Sequence, residues 1–240
     1  MVDPLRGSLP AIALVVLVLS AGCSGLPATD GRASGPDSTV ESFSYPSGWS
    51  QEGITDLSVA LRTHDEAVRN TSRRSRMSTV DEDGNRTVVR TLDADAGTAS
   101  VRWFDAEFGG PMRYYFSDEG VFEYDPETEE LTRNPGEGWT PDRVASHEGL
   151  RRSLTGLKLD ANETVSVEGT TAVRYDVTGV EDPVSVPADN ATGHVVVTET
   201  GYLAAYDVTR GNDGFTRRTT YEVTDFGNAT VTRPAWLPEG

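Results

Sequence analysis

Leu57, Leu61, His64 and Val68 return at intervals of three and four residues. That spacing gathers them on one side of an α-helix, so a short amphipathic helix is predicted over 55–70, with Thr55 able to cap its N-terminus. Beyond it the period changes from helical to two. Short runs rich in aromatic and β-branched residues occupy 77–80, 87–92, 99–104, 113–116, 121–124 and 131–132. Turn chemistry separates them: Asp83-Gly84-Asn85, Gly109-Gly110-Pro111 and Asp125-Pro126. A second helix is predicted over 140–157, with Thr140 as its cap, Pro141 in its first turn and Val144, Leu150, Leu154 and Leu157 on its buried side. Gly149 and Gly156 interrupt that pattern. Strands resume at 164–167, 172–177, 194–199, 202–209, 215–225 and 229–232. Val173, Tyr175 and Val177, set against Arg174, Asp176 and Thr178, form the cleanest half-buried strand in the chain.

About eleven strands in meander order are more sheet than one flat layer can bury, and such a sheet curls. The predicted fold is mainly β with two short helices: a strongly curved antiparallel sheet, or half-barrel, with the helices on its concave side.

The N-terminus reads differently. Arg6 and Pro10 precede an unbroken apolar run over 11–19. As a helix nine residues reach about 14 Å, roughly half of a hydrocarbon core, which suits a signal peptide and not a membrane span. Small residues, Ser20-Ala21-Gly22, then lead to Cys23, the single cysteine of the chain. This segment resembles a lipobox, in which the thiol of the new first residue takes a thioether-linked lipid. It departs from the usual pattern in that Leu19 stands four residues before Cys23 and Ser20 occupies the position three before. A lone exported cysteine cannot close an intramolecular disulfide. The alternative is a free or buried thiol in a chain secreted by simple cleavage. Two long chains on Cys23, at about 0.8 kcal/mol per buried methylene, would hold the protein to a membrane permanently. The first ten residues contain no Arg-Arg pair, so export is expected to be Sec-like. The expected organisation is a signal peptide at 1–22, a tether at 23–48 rich in Gly, Pro, Ser, Thr, Ala and Asp, and one β-rich domain at 49–240.

Charge adds an environment. The chain carries 38 acidic against 21 basic residues, a net charge of −17, and all of the basic residues but Lys158 are arginine. At molar salt the Debye length falls to about 3 Å, so crowded carboxylates repel weakly. Hydrated Asp and Glu keep such a surface soluble, and the composition points to very salty surroundings. An ordinary acidic protein is the alternative. Either way the surface repels phosphate backbones, so nucleic acid is not expected as a partner.

The helix, the hairpin series, the second helix, the 193–203 hairpin and the closing Tyr221-Glu222-Val223-Thr224-Asp225-Phe226-Gly227-Asn228 followed by Pro234 resemble the bacterial lipoprotein carriers and lipid-binding lipoproteins of the LolA and LppX kind. More narrowly, the chain resembles a haloarchaeal lipoprotein family of unknown function. The resemblance spans 48–236 and is a pattern of elements. In those carriers the concave sheet face and its helices enclose an acyl-chain cavity, and this is what the resemblance implies here. Their ligand-contact residues have no match in this sequence.

Candidate chemistry is sparse. Five Asn-X-Ser/Thr sequons begin at Asn70, Asn85, Asn162, Asn190 and Asn228, and on an exported chain they are candidate N-glycosylation sites. His64, His147 and His194 are scattered, and with Cys23 assigned to the lipid no metal site is expected. Asp81-Glu82-Asp83-Gly84-Asn85 resembles part of a calcium loop but lacks the later bidentate Glu, and a hairpin turn explains the same residues. No Gly-X-Ser-X-Gly elbow or phosphate-binding loop is present, and Gly136-Glu137-Gly138 lacks the third glycine of a dinucleotide loop. No cofactor and no enzymatic activity are expected. Trp103, Phe104, Tyr114, Tyr115, Phe116, Phe122 and Tyr124 put apolar side chains on both faces of neighbouring strands. They are either packed core or, on one face, the wall of a hydrophobic cavity.

These observations lead to a membrane-tethered extracellular lipoprotein that binds a hydrophobic or amphiphilic ligand, small molecule or lipid. The competing expectation is a surface interaction or sensor module whose fold is filled by its own side chains. A carboxylate-based hydrolase stands third.

Overall fold

In the first helix the aliphatic side chains and His64 are drawn into the core and Arg62 and Glu66 are left in water. A computed structural model describes residues 39–107, 109–135, 140–144, 148–181 and 188–238. Cys23 and the whole signal segment lie outside them, as do His147 and Gly136-Glu137-Gly138. Helix α1 (Leu57–Val68) buries Ala60, Leu61, His64 and Val68. Its cap is Asp56 and not Thr55: the Asp56 carboxylate accepts from the Ser58 and Val59 amides at 2.9 and 3.0 Å. Asp is the stronger acceptor for the orphan amides of a first turn, and Asp56 has the extended backbone that a cap requires. Ahead of the helix, Phe43 is already buried in the core with Val40 and Tyr45 against it, so the domain's packing begins before Gly48.

A two-stranded hairpin, β1 (Trp49–Ser50) and β2 (Gly53–Ile54), precedes α1. Eleven strands follow it. The first six are β3 (Arg73–Asp81), β4 (Gly84–Asp93), β5 (Thr98–Asp105), β6 (Gly109–Ser117), β7 (Gly120–Asp125) and β8 (Glu130–Asn134). After two short helices, α2 (Pro141–Val144) and α3 (Glu148–Leu154), come β9 (Leu157–Val167), β10 (Thr170–Val180), β11 (Asn190–Thr198), β12 (Leu203–Asn212) and β13 (Phe215–Thr224). All eleven form one antiparallel sheet in the order β8-β7-β6-β5-β4-β3-β13-β12-β11-β10-β9. The expected open, curved antiparallel sheet with helices on one side is what the chain builds. β8 and β9 are free edges, and bulges interrupt the register between β9 and β10, β11 and β12, and β5 and β6. Bulges of this kind bend a strand and sharpen its twist.

The order is not a single meander. One meander runs from the centre to the β8 edge, the helical segment carries the chain to the opposite edge, and a second meander returns to the centre, where β13 pairs with β3. The predicted helix over 140–157 is correspondingly two helices. Gly156, at φ +67°, ends the second of them, and Leu157 opens β9. The left-handed conformation there is inexpensive for glycine alone, so the chain turns directly into the edge strand. The predicted strand at 229–232 is absent. That segment runs extended behind the sheet, where Val231, Trp236 and Leu237 cover Tyr115 and Phe122.

On the helix side the core has two parts. Beneath α1 and α3, Leu61, Val68, Leu150 and Leu154 pack against Tyr175, Val195, Tyr206 and Val223. Beneath α2, Val144 packs against Leu92, Ala99, Phe116 and Val121.

Candidate functional site

Over the centre of the helix-side face, roofed by α3, lies a pocket of about 490 Å³, partly open to solvent. Cross-strand register fixes its floor. Tyr206 of β12, Tyr221 of β13, Met77 of β3, Val88 of β4 and Trp103 of β5 stand in one row across five neighbouring strands. Because strand side chains alternate, residues two along on each strand share this face. Towards the β3–β4 and β12–β13 turns the next row holds Val208, Thr219, Thr79 and Arg86, and beyond it Arg210 stands opposite Arg217. In the other direction, towards the region under α1, the row is Val223, Ser75, Arg90 and Val101.

Helix α3 closes the top through three contacts. Gly149 sits so near the sheet that a Cβ there would lie 2.8 Å from the Met77 sulfur. The Tyr206 hydroxyl donates to the Ser153 carbonyl at 2.8 Å. The Arg210 guanidinium donates to the same carbonyl and, at 2.9 Å, to that of Thr155. The orphan carbonyls of the last turn of α3 are thus capped by side chains from β12. Burial pushes the Tyr206 phenol up to about 12 against the opposing pull of Arg210. Tyr221, beneath the pocket floor, is likewise pushed up to about 12, by burial first, with Arg73 and Arg90 pulling it down.

Five arginines line this pocket, Arg86, Arg90, Arg152, Arg210 and Arg217, and among the described residues no carboxylate does. The outer ones are committed. Arg86 pairs with Asp105 at 2.9 Å and Glu107 at 2.7 Å, and Arg217 pairs with Asp81 at 2.8 Å. Arg210 is bound to the α3 carbonyls. Arg90, half-buried at the inner end, makes no hydrogen bond or ion pair among the described residues; desolvation lowers its pKa, opposed only by Tyr221.

Of the aromatic cluster, the structure brings only Trp103 to the pocket. Phe116 and Tyr114 pack in the core under α2, and Tyr115 and Phe122 face the rear, covered by the C-terminal segment. Tyr124 stacks on Trp236 with ring centroids 5.1 Å apart, and Phe104 is 39% exposed. Glu82 and Asp83 form the β3–β4 turn between Asp81 and Gly84, and the Asp81 carboxylate is taken by Arg217 and the Asp83 amide. Among the described residues no three His, Cys, Asp or Glu side chains gather as metal ligands would. His64 is buried on the inner face of α1, its Nδ1 accepting from the Leu203 amide at 3.1 Å.

All five sequon asparagines, Asn70, Asn85, Asn162, Asn190 and Asn228, are exposed. Asn162 is the extra residue of the first β9–β10 bulge, where its amide donates to Asp176 at 2.7 Å.

Comparison of the sequence with protein-family models and with curated proteins finds no match. Comparison with solved structures does find similar chains. LprF from Mycobacterium bovis aligns over 76% of this chain and 97% of its own, with a TM-score of 0.37 and 10% identity. A LolA superfamily protein from Nitrosomonas europaea, NE2245, aligns over 73% and 94%, with a TM-score of 0.28 and 9% identity. MucB, in the Pseudomonas aeruginosa MucA/MucB complex, aligns over 77% and 67%, with a TM-score of 0.33 and 17% identity. These likenesses are loose, and the chemistry of the pocket rests on this chain's own residues.

The pocket arginines were not singled out from the sequence. Their one local signal is the alternation Arg86, Val88, Arg90 in β4, which sets cations on the same strand face as an apolar residue.

Proposed function

We propose that this protein is a lipid-anchored exported lipoprotein, cleaved ahead of Cys23 and held on the outer face of the cytoplasmic membrane, whose β-rich domain binds a hydrophobic or amphiphilic ligand and has no catalytic role. The observation that carries the binding half is the pocket under α3. At about 490 Å³ it falls within the range of small-molecule sites, about 300–1,000 Å³, and its floor is apolar where Met77, Val88, Trp103 and Val208 meet. The anchoring half is supported by the short apolar run over 11–19 and the small residues before Cys23. The five exposed asparagines are candidate glycan acceptors on that outer face.

Native mass spectrometry of the detergent-free Cys23→Ser chain tests the binding half. The expected spectrum contains a species heavier than the chain by the mass of a small lipid or amphiphile, lost when Gly149 is replaced by a pocket-filling Leu. A bare chain mass, with no uptake of added single-chain amphiphiles, refutes it. Membrane fractionation of the same variant tests the anchor: the parent is expected with the membrane and Cys23→Ser in the medium or soluble fraction.

A further inference from the structure

The charge of the pocket is opposite to that of the protein. Five of the twenty arginines line one pocket in a chain of net charge −17, and no carboxylate lines it among the described residues. The arginines divide by register. At the outer end Arg86 and Arg217 are paired with Asp105, Glu107 and Asp81, and the two terminal nitrogens of Arg210 are bound to backbone carbonyls, its buried Nε having no partner among the described residues. Arg90 lies two residues further in than Val88 on the same face of β4, opposite Ser75 and Val101, and has no carboxylate or carbonyl partner among the described residues. The titratable groups around it are Arg73, whose guanidinium it repels, and the Tyr221 phenol; the Asp65 carboxylate of α1 acts on Arg73 and Tyr221 and not on Arg90. Arg73 is itself bound to the Val68 and Thr71 carbonyls. A half-buried cation with a cationic neighbour and no carboxylate paired to it among the described residues favours an anion placed beside it.

Next to that cation, towards the mouth, lies the apolar row of Met77, Val88 and Trp103. We infer that the pocket takes an anion with an apolar body, its carboxylate or phosphate group paired with Arg90 at the inner end and its hydrocarbon lying along Met77, Val88 and Trp103. Arg152, exposed on α3 at the pocket wall, is a further cation lining the same pocket. A guanidinium suits both oxyacids because its planar fork matches two oxygens at once. The inference rests on the pocket being a ligand site.

The test is calorimetric titration of the full chain carrying Cys23→Ser, in about 1 M KCl, where a Debye length of about 3 Å removes long-range attraction and leaves contact pairing. Four probes are compared below their aggregation concentrations: dodecyl phosphate, dodecanoate, 1-dodecanol and inorganic phosphate. At least one of the two C12 anions is expected to bind ten-fold or more tighter than the alcohol, and which one leads distinguishes a lipid phosphate from a fatty carboxylate. Arg90→Met is expected to erase that preference while leaving alcohol binding intact. Arg90→Lys is expected to keep a preference of several-fold, and circular dichroism checks that both variants fold. Equal binding of alcohol and anions by the parent overturns the inference and leaves the apolar pocket standing. Inorganic phosphate binding as tightly as dodecyl phosphate also overturns it, making the site one for free anions. If no C12 probe binds at all, the ligand-site reading itself fails and takes this inference with it.

Discussion

Replacing Arg210 by Met should loosen the roof of the pocket without unfolding the sheet. Helix α3 has seven residues, well short of the dozen or more that a helix needs to persist unaided in water, so its order depends on what holds it to β12. Leu150 and Leu154 pack it into the core, and two side chains of β12 bind its last carbonyls. Tyr206 binds the Ser153 carbonyl at 2.8 Å, and Arg210 binds the Ser153 and Thr155 carbonyls, the latter at 2.9 Å. A neutral hydrogen bond contributes about 1 kcal/mol and one from a charged donor about 1.5–3. Arg210 is half-buried, and the freed Thr155 carbonyl can reach water, so about 2 kcal/mol is expected for Arg210→Met and about 1 for Tyr206→Phe. At about 2–4 °C per kcal/mol for a domain of this size, the first corresponds to a fall in Tm of about 4–8 °C. The two residues share one acceptor. Either single variant leaves Ser153 bonded, whereas the double variant strips it, so the double should lose about 0.5–1 kcal/mol more than the two singles together. Hydrogen exchange read by mass spectrometry should show lost protection confined to 150–155. Additivity within about 0.3 kcal/mol, with unchanged exchange over α3, would refute the assignment of these residues as the clamp on the roof.

Three further outcomes follow from the same geometry. Tyr206 and Tyr221 are held neutral up to about 12 by burial, against about 10 in an unfolded chain. Their contribution is therefore complete below pH 10 and is lost as pH rises through 12; denaturant midpoints at constant salt should fall over that window, and Tyr221→Phe should flatten the fall. Gly149→Leu should leave stability unchanged or slightly raised, since a helical glycine costs about 1 kcal/mol relative to a good helix former and the Met77 end it meets, 2.8 Å from the new Cβ, is flexible. The same variant should cut amphiphile uptake at least ten-fold, and undiminished uptake would place the ligand elsewhere. Asp56→Ala should cost about 1 kcal/mol in chemical denaturation and Thr55→Ala only a few tenths; the reverse ranking would show that the cap has been misassigned.

What could be read from the chain, and what could not, divides by the range of the interaction. The buried positions of α1 declare themselves because 3.6-residue periodicity is local, and Leu61, His64 and Val68 are buried as their spacing requires. Hairpins declare themselves too, since a turn such as 82–83 lies between the strands it joins. The β3–β13 pairing does not, because its partners are about 140 residues apart, as Thr79 and Thr219 show, and neither strand's pattern specifies the other. The pocket was hidden for a different reason. Alternation shows which residues share a face but not which face is inside, and β4 offers Arg86, Val88 and Arg90 on one side and Thr87, Val89 and Thr91 on the other. Polarity could not choose between those two sides. The register with Met77 and Trp103 does. The predicted strand at 229–232 erred because apolar residues that cover a neighbouring face can alternate like those in a ladder.

The meeting of β3 with β13 at the middle of the sheet has a consequence for how the molecule comes together. Residues 73–134 and 157–224 each make a wing that is contiguous in the chain and can zip up by short steps, whereas the join between the wings awaits the last strand. Until then the nine residues of β3 offer one side of bare amides and carbonyls to any passing strand, a template for sticking to other molecules. A polypeptide cut short before Phe215 would keep that wound open permanently, and for this protein aggregation of truncated forms is built into the topology.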